Sequence, residues 1–116
     1  MFASLIRGAY LESRFGQARI LTIGVGSTDN SAALRVGRYM FRVTAGSIHV
    51  RGPQAADTLA TTTDMIHEAG DIFYVDIGTE AAEQFVSLIR DGAADATVYV
   101  CGVSGDAPVA QPPTWT

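Results

Sequence analysis

The 116-residue chain has no lysine, one cysteine, one tryptophan and four prolines. Each scarcity excludes something. A single cysteine, Cys101, rules out an intrachain disulfide and a Cys-rich zinc site. It lies in the apolar run Val98-Tyr99-Val100-Cys101-Gly102-Val103 and reads as a small core residue rather than a nucleophile, a usage compatible with an intracellular environment. The eight basic residues are arginines at 7, 14, 19, 35, 38, 42, 51 and 90, outweighed by twelve acidic residues for a net charge of −4. They form no basic cluster, so nucleic acid is not an expected partner. No stretch approaches the ~18 consecutive apolar residues of a spanning helix, and no membrane partner is expected. Met1–Arg7 lacks the basic leader and sustained apolar run of a signal peptide, which points to synthesis in a cytoplasm.

Apolar residues make up 47% of the chain, enough for one modest core in one domain. Arginine without lysine, beside 17 alanines and 12 glycines, fits a GC-rich coding bias. Arginine is also the weakly hydrated cation that forks onto carboxylates at interfaces.

Short β-branched and aromatic runs separated by glycine turns dominate the pattern. Residues 18–25 read as a strand ending in the turn Gly26–Asn30, and Leu34–Val36 as a short edge segment. In 38–44, Tyr39, Phe41 and Val43 alternate with Arg38, Met40, Arg42 and Thr44, a half-buried strand. Ala45-Gly46-Ser47 turns it, and 48–51 returns, so 38–51 reads as a hairpin with His49 facing solvent. The Thr-rich 53–70 stretch reads as a loop with a short edge strand. Strands follow at 72–77 and 84–90, and Asp91-Gly92 before 96–100 predicts a closing hairpin. Seven or so strands 8–12 residues apart argue for an all-β antiparallel sandwich or barrel. Its boundaries are 18–103, between an N-terminal arm, 1–17, and an extended Pro-rich tail, 104–116.

Catalytic and metal signatures are weak. His49 and His67 are the only histidines, and His67-Glu68 lacks a third ligand. No Gly-x-Ser-x-Gly elbow supports Ser27, Ser47 or Ser87. Asp57, Asp64, Asp71 and Asp76 lack a calcium-loop pattern and read as turn caps. Gly24-Val25-Gly26 lacks the third glycine and the following helix of a dinucleotide fingerprint. No cofactor, no metal and no enzyme activity are expected.

The segment Gly37–Val103 resembles small virion proteins of tailed phages. The resemblance rests on Gly37-Arg38-Tyr39-Met40-Phe41-Arg42-Val43-Thr44, Ile48-His49-Val50-Arg51-Gly52, Ala60-Thr61-Thr62-Thr63-Asp64, Ala69-Gly70-Asp71-Ile72-Phe73-Tyr74-Val75 and the stretch from Val86 to Val100. Ala96 stands where the family's pattern has a second glycine. The resemblance implies a β-sandwich, jelly-roll-like, located in the virion, that acts by binding. The function it implies is a head decoration (cement) protein that clamps the major capsid protein, working as a homo-oligomer, trimer or dimer. A neck, tail or baseplate accessory protein is the alternative; a small ligand-binding barrel or an enzyme built on His67-Glu68 is more remote. Terminal arms would sum several weak contacts into tight attachment. Phe2, Leu5, Ile6 and Tyr10 are candidate apolar anchors, and Trp115 either fills a partner's pocket or is idle. Arg38, Arg42 and Arg51, on one hairpin face, would either pair with an acidic capsid surface or form an ordinary solvated face.

Overall fold

The computed structural model describes residues 17–24, 28–31, 33–55, 59–80, 83–105, 113 and 115. Eight strands run in chain order: β1 (Arg19–Ile23), β2 (Thr28–Asn30), β3 (Gly37–Ala45), β4 (Ser47–Gln54), β5 (Met65–Glu68), β6 (Ile72–Ile77), β7 (Phe85–Asp91) and β8 (Ala96–Gly105). They form two four-stranded antiparallel sheets, β1-β8-β3-β6 and β2-β7-β4-β5, here sheet A and sheet B. The molecule is an all-β antiparallel sandwich, as its strand spacing predicts.

Period-two alternation builds the core. Tyr39, Phe41 and Val43 of β3 are fully buried, beside Val98 and Val100 of β8 in the same sheet. Ile48, Val86 and Leu88 of sheet B join them in one cluster. Side chains alternate across a strand, so the intervening residues of β3 point outward. Burying a Leu, Ile, Val or Phe side chain is worth about 1.5–3 kcal/mol, so this file dominates the favourable side of folding.

Two expected hairpins prove to be sheet-switching corners. β3 pairs with β6 and β8, while β4 pairs with β5 and β7, so the 45–47 turn carries the chain from sheet A to sheet B. The 92–95 turn likewise carries it from β7 in sheet B back to β8 in sheet A. Alternation reports which side of a strand is buried but not which strand lies beside it. A chain that crosses the core keeps its apolar side inward just as a hairpin does. The Thr28–Asn30 segment, expected as part of a turn, is a strand because the free side of β7 gives it a partner. The expected segment at 34–36 is not a strand, although Leu34 is buried and its amide donates to the Gln84 carbonyl at 2.9 Å.

The chain end returns to the sandwich. β8 runs to Gly105, past the expected boundary at 103. Pro113 is fully buried, its carbonyl accepting Arg19 Nε–H at 3.1 Å, and Trp115 bridges to Ser31.

The two corners pack on each other at Gly46. Its φ of +69° is left-handed, and a Cβ there would lie 2.7 Å from the Asp95 carbonyl oxygen and 2.9 Å from Ala96 Cα. Gly46→Ala therefore meets both an unfavourable backbone conformation and backbone atoms that cannot turn aside. The conformational part alone is about 1–3 kcal/mol. Chemical denaturation should show a loss of at least that size; a variant as stable as the parent would mean the corners do not touch.

Candidate functional site

The two outer faces of the sandwich differ. On sheet B the 59–64 loop lies over β4 and β7 and is fastened at three points. The Ala60 amide donates to Ser87 Oγ at 2.9 Å. Arg51 of β4 grips the Asp64 carboxylate through Nε and Nη2, with bonds of 2.9–3.1 Å. His49, one pleat along β4, lies 2.9 Å from the Asp64 carbonyl through Nδ1 and 2.9 Å from Asp91 Oδ1 through Nε2. His49 is only 5% exposed, which corrects the expectation that it faces solvent. It does point away from the core; the loop is what covers it.

Asp64 organises its own loop. Its Oδ2 accepts the Thr61 amide at 2.8 Å, and its amide returns to the Thr61 carbonyl at 3.1 Å. This is the turn-capping role read from the sequence. The Arg51 guanidinium, then the Thr61 amide, hold the Asp64 carboxyl below the usual carboxylate range.

Sheet A has no such cover among the described residues. One row across its outer face reads Ile20, Tyr99, Arg42, Ile72, and the next reads Cys101, Met40, Tyr74. Ile20, Ile72 and Tyr74 are each more than half exposed and Tyr99 is exposed. Ala18, Met40, Arg42, Thr44, Tyr99 and Cys101 line a depression of about 360 Å³ on this face. Cys101 itself is buried.

The three arginines expected on one face part company. Arg38 and Arg42 stand on the outer face of sheet A and Arg51 on that of sheet B, because β3 and β4 belong to different sheets. Arg38 is bidentate on Asp76, at 2.7 and 3.2 Å, and lies over the Tyr74 ring. Arg51 is taken up by Asp64. Arg42 makes no ion pair among the described residues. Phe2, Leu5, Ile6 and Tyr10 lie outside the described residues.

Trp115 packs on the chain's own core instead of projecting from a tail. It meets Phe41 edge-on at 6.0 Å and closes a file of rings from His67 through Phe73 and Phe41. The stretch expected as an extended tail thus contributes two residues, Pro113 and Trp115, that pack on the sandwich. His67 stacks on Phe73 with centroids 3.9 Å apart, and burial holds it below the ordinary histidine value. Among the described residues, no three His, Cys, Asp or Glu side chains gather into a metal-binding group. The exposed apolar residues of sheet A were present in the strand alternation; their pooling on one face needed the strand order. The chain matches no protein-family model, no curated protein and no solved structure.

Two outcomes follow. Trp115 Nε1 is buried without an acceptor among the described residues, so Trp115→Phe removes an unsatisfied donor and keeps the ring contact. That variant should stay within about 1 kcal/mol of the parent, whereas Trp115→Ala should lose about 2–3 kcal/mol in denaturant melts. Equal losses would mean the ring is not seated on Phe41. Asp64, with its pKa lowered, lends stability that is present above about pH 4 and lost as pH falls further. Asp64→Asn should therefore be less stable at pH 7, with the gap to the parent closing toward pH 2. A gap unchanged over that range would contradict the role given to the carboxylate.

Proposed function

We propose that the chain is a structural protein of a tailed-phage virion: a decoration or cement protein that binds the major capsid protein and stabilises the head shell. The observation that carries this reading is the contrast between the two faces. On sheet B a loop covers β4 and β7 and leaves Ile66 of β5 exposed, whereas sheet A presents Ile20, Ile72, Tyr74 and Tyr99 together around Arg42. Exposed apolar patches rimmed by polar groups mark interaction sites, and Tyr and Arg are the residues that carry binding energy at interfaces. The strand order also agrees with the implied jelly roll. The pairs β1–β8, β2–β7, β3–β6 and β4–β5 are those of one long hairpin rolled into two sheets.

In this reading the sandwich is a rigid wedge. Arg42 supplies the cation for an acidic patch on the shell, since Arg38 and Arg51 are held by their own aspartates. Phe2, Leu5, Ile6 and Tyr10 act as N-terminal anchors that add contacts at high effective concentration. Oligomers, trimeric or dimeric, would multiply the attachment again. Trp115 has a partner in its own domain and is no longer needed as an anchor.

Quantitative mass spectrometry of the purified particle tests the reading. A copy number near that of the major capsid subunit is expected. A few copies per particle would move the protein to the neck, tail or baseplate, and absence from the particle would overturn the virion reading. On purified shells, a double Ile72→Ser, Tyr74→Ser variant should fold normally, because both side chains are largely exposed, and bind at least tenfold more weakly. Unchanged binding would exclude this face.

A further inference from the structure

His49 faces two acceptors at once. The Asp64 carbonyl lies 2.9 Å from Nδ1 and Asp91 Oδ1 lies 2.9 Å from Nε2. A neutral imidazole has one N–H and can satisfy only one of them; the imidazolium has two and satisfies both. We propose that His49 is a proton-operated latch: as the imidazolium it ties the 59–64 loop down over β4 and β7, and loss of one proton removes one of the loop's three fastenings and lets it open more often from that face of sheet B.

The surroundings bear this out. From β7 the facing charge is the Asp91 carboxylate, 43% exposed, and His49 stands opposite Ile89. From β5 the residue opposite is Ile66, with Glu68 one pleat further, opposite Ser47. From the loop comes the Asp64 carbonyl, while the Asp64 carboxylate is engaged by Arg51 of β4 itself. Two acceptors thus meet the ring at close range, and Arg51, next along the same face of β4, is neutralised by Asp64. The Asp64 carbonyl first, and the Asp91 carboxylate second, hold His49 above the ordinary histidine value.

Which bond fails on deprotonation also follows. A hydrogen bond to a carboxylate is about twice as strong as one between neutral groups, so the remaining proton stays on Nε2 facing Asp91. The Nδ1 lone pair is then left against the Asp64 carbonyl, and the repulsion falls on the loop. The latch is closed below the unfolded histidine value of about 6.5 and opens as pH rises through the raised native value. His67 serves as an internal control, since it stacks on Phe73 away from this loop and its shift is in the opposite direction.

Nuclear magnetic resonance on the full chain between about pH 5 and 9 tests the latch. The ring nitrogens of His49 report its protonation, and hydrogen-exchange protection factors of the Ala60, Thr61 and Asp64 amides report the loop. Protection of these amides should fall about tenfold, the equivalent of one lost hydrogen bond, with the same midpoint as His49 and not that of His67. In Asp91→Asn, which removes the facing charge, both midpoints should move down together. Loop protection that stays constant through the His49 midpoint would overturn the proposal. So would a His49 that is neutral at pH 6, or loop opening that follows His67.

Discussion

Everything in this molecule hangs on one apolar file buried between two sheets. Tyr39, Phe41 and Val43 of β3 lie beside Val98 and Val100 of β8 at the centre of sheet A, in one cluster with Ile48, Val86 and Leu88 of sheet B. β3 has neighbours on both sides, so its outward residues fall in the middle of a sheet face and not at a rim. Six of the seven connections between consecutive strands cross from one sheet to the other; only β4–β5 stays within a sheet. Each crossing keeps the apolar side of the chain inward, which is why so short a sequence can close a sandwich without disulfides. The corners must then pass close to one another, and Gly46 is where backbone meets backbone.

Much of this was legible in the residues and some was not. The alternation at 38–44 correctly separates the buried Tyr39, Phe41 and Val43 from the outward Arg38, Met40 and Arg42. The Thr-rich stretch does hold a short edge strand, β5, and 84–90 is a strand despite its helix-favouring approach. Pairing partners were not legible, because a hairpin and a corner through the core leave the same period-two trace. That ambiguity misplaced Arg51 beside Arg38 and Arg42; the solvent position expected for His49 failed for a different reason. His49 does occupy an outward position; what buries it is a loop from 15 residues downstream, brought over by Asp64. Likewise Trp115 finds Phe41 across 74 residues of sequence, a contact no local pattern announces.

The faces left by this fold divide the labour. On sheet B the polar side chains bind the chain to itself: Arg51 with Asp64, Ser87 with Ala60, His49 with both Asp64 and Asp91. On sheet A Arg38 and Asp76 also pair with each other, but Ile20, Ile72, Tyr74 and Tyr99 stand exposed and Arg42 makes no ion pair among the described residues. Satisfied polar networks add rigidity and specify one arrangement, while exposed aromatic and aliphatic side chains gain most from a partner. The capsid-binding role we propose, in which one side of a stiff sandwich meets the shell, needs both properties.

Hydroxyl-radical footprinting, read by mass spectrometry, compares the isolated chain with the chain on phage shells. It addresses the central claim, that the outer face of sheet A is the contact surface. The account predicts that Met40, Tyr74 and Tyr99 are labelled in the isolated chain and protected on the shell, while Met65, at the sheet B edge, is labelled in both. Equal labelling of the sheet A residues in the two states, or protection confined to sheet B, would contradict it.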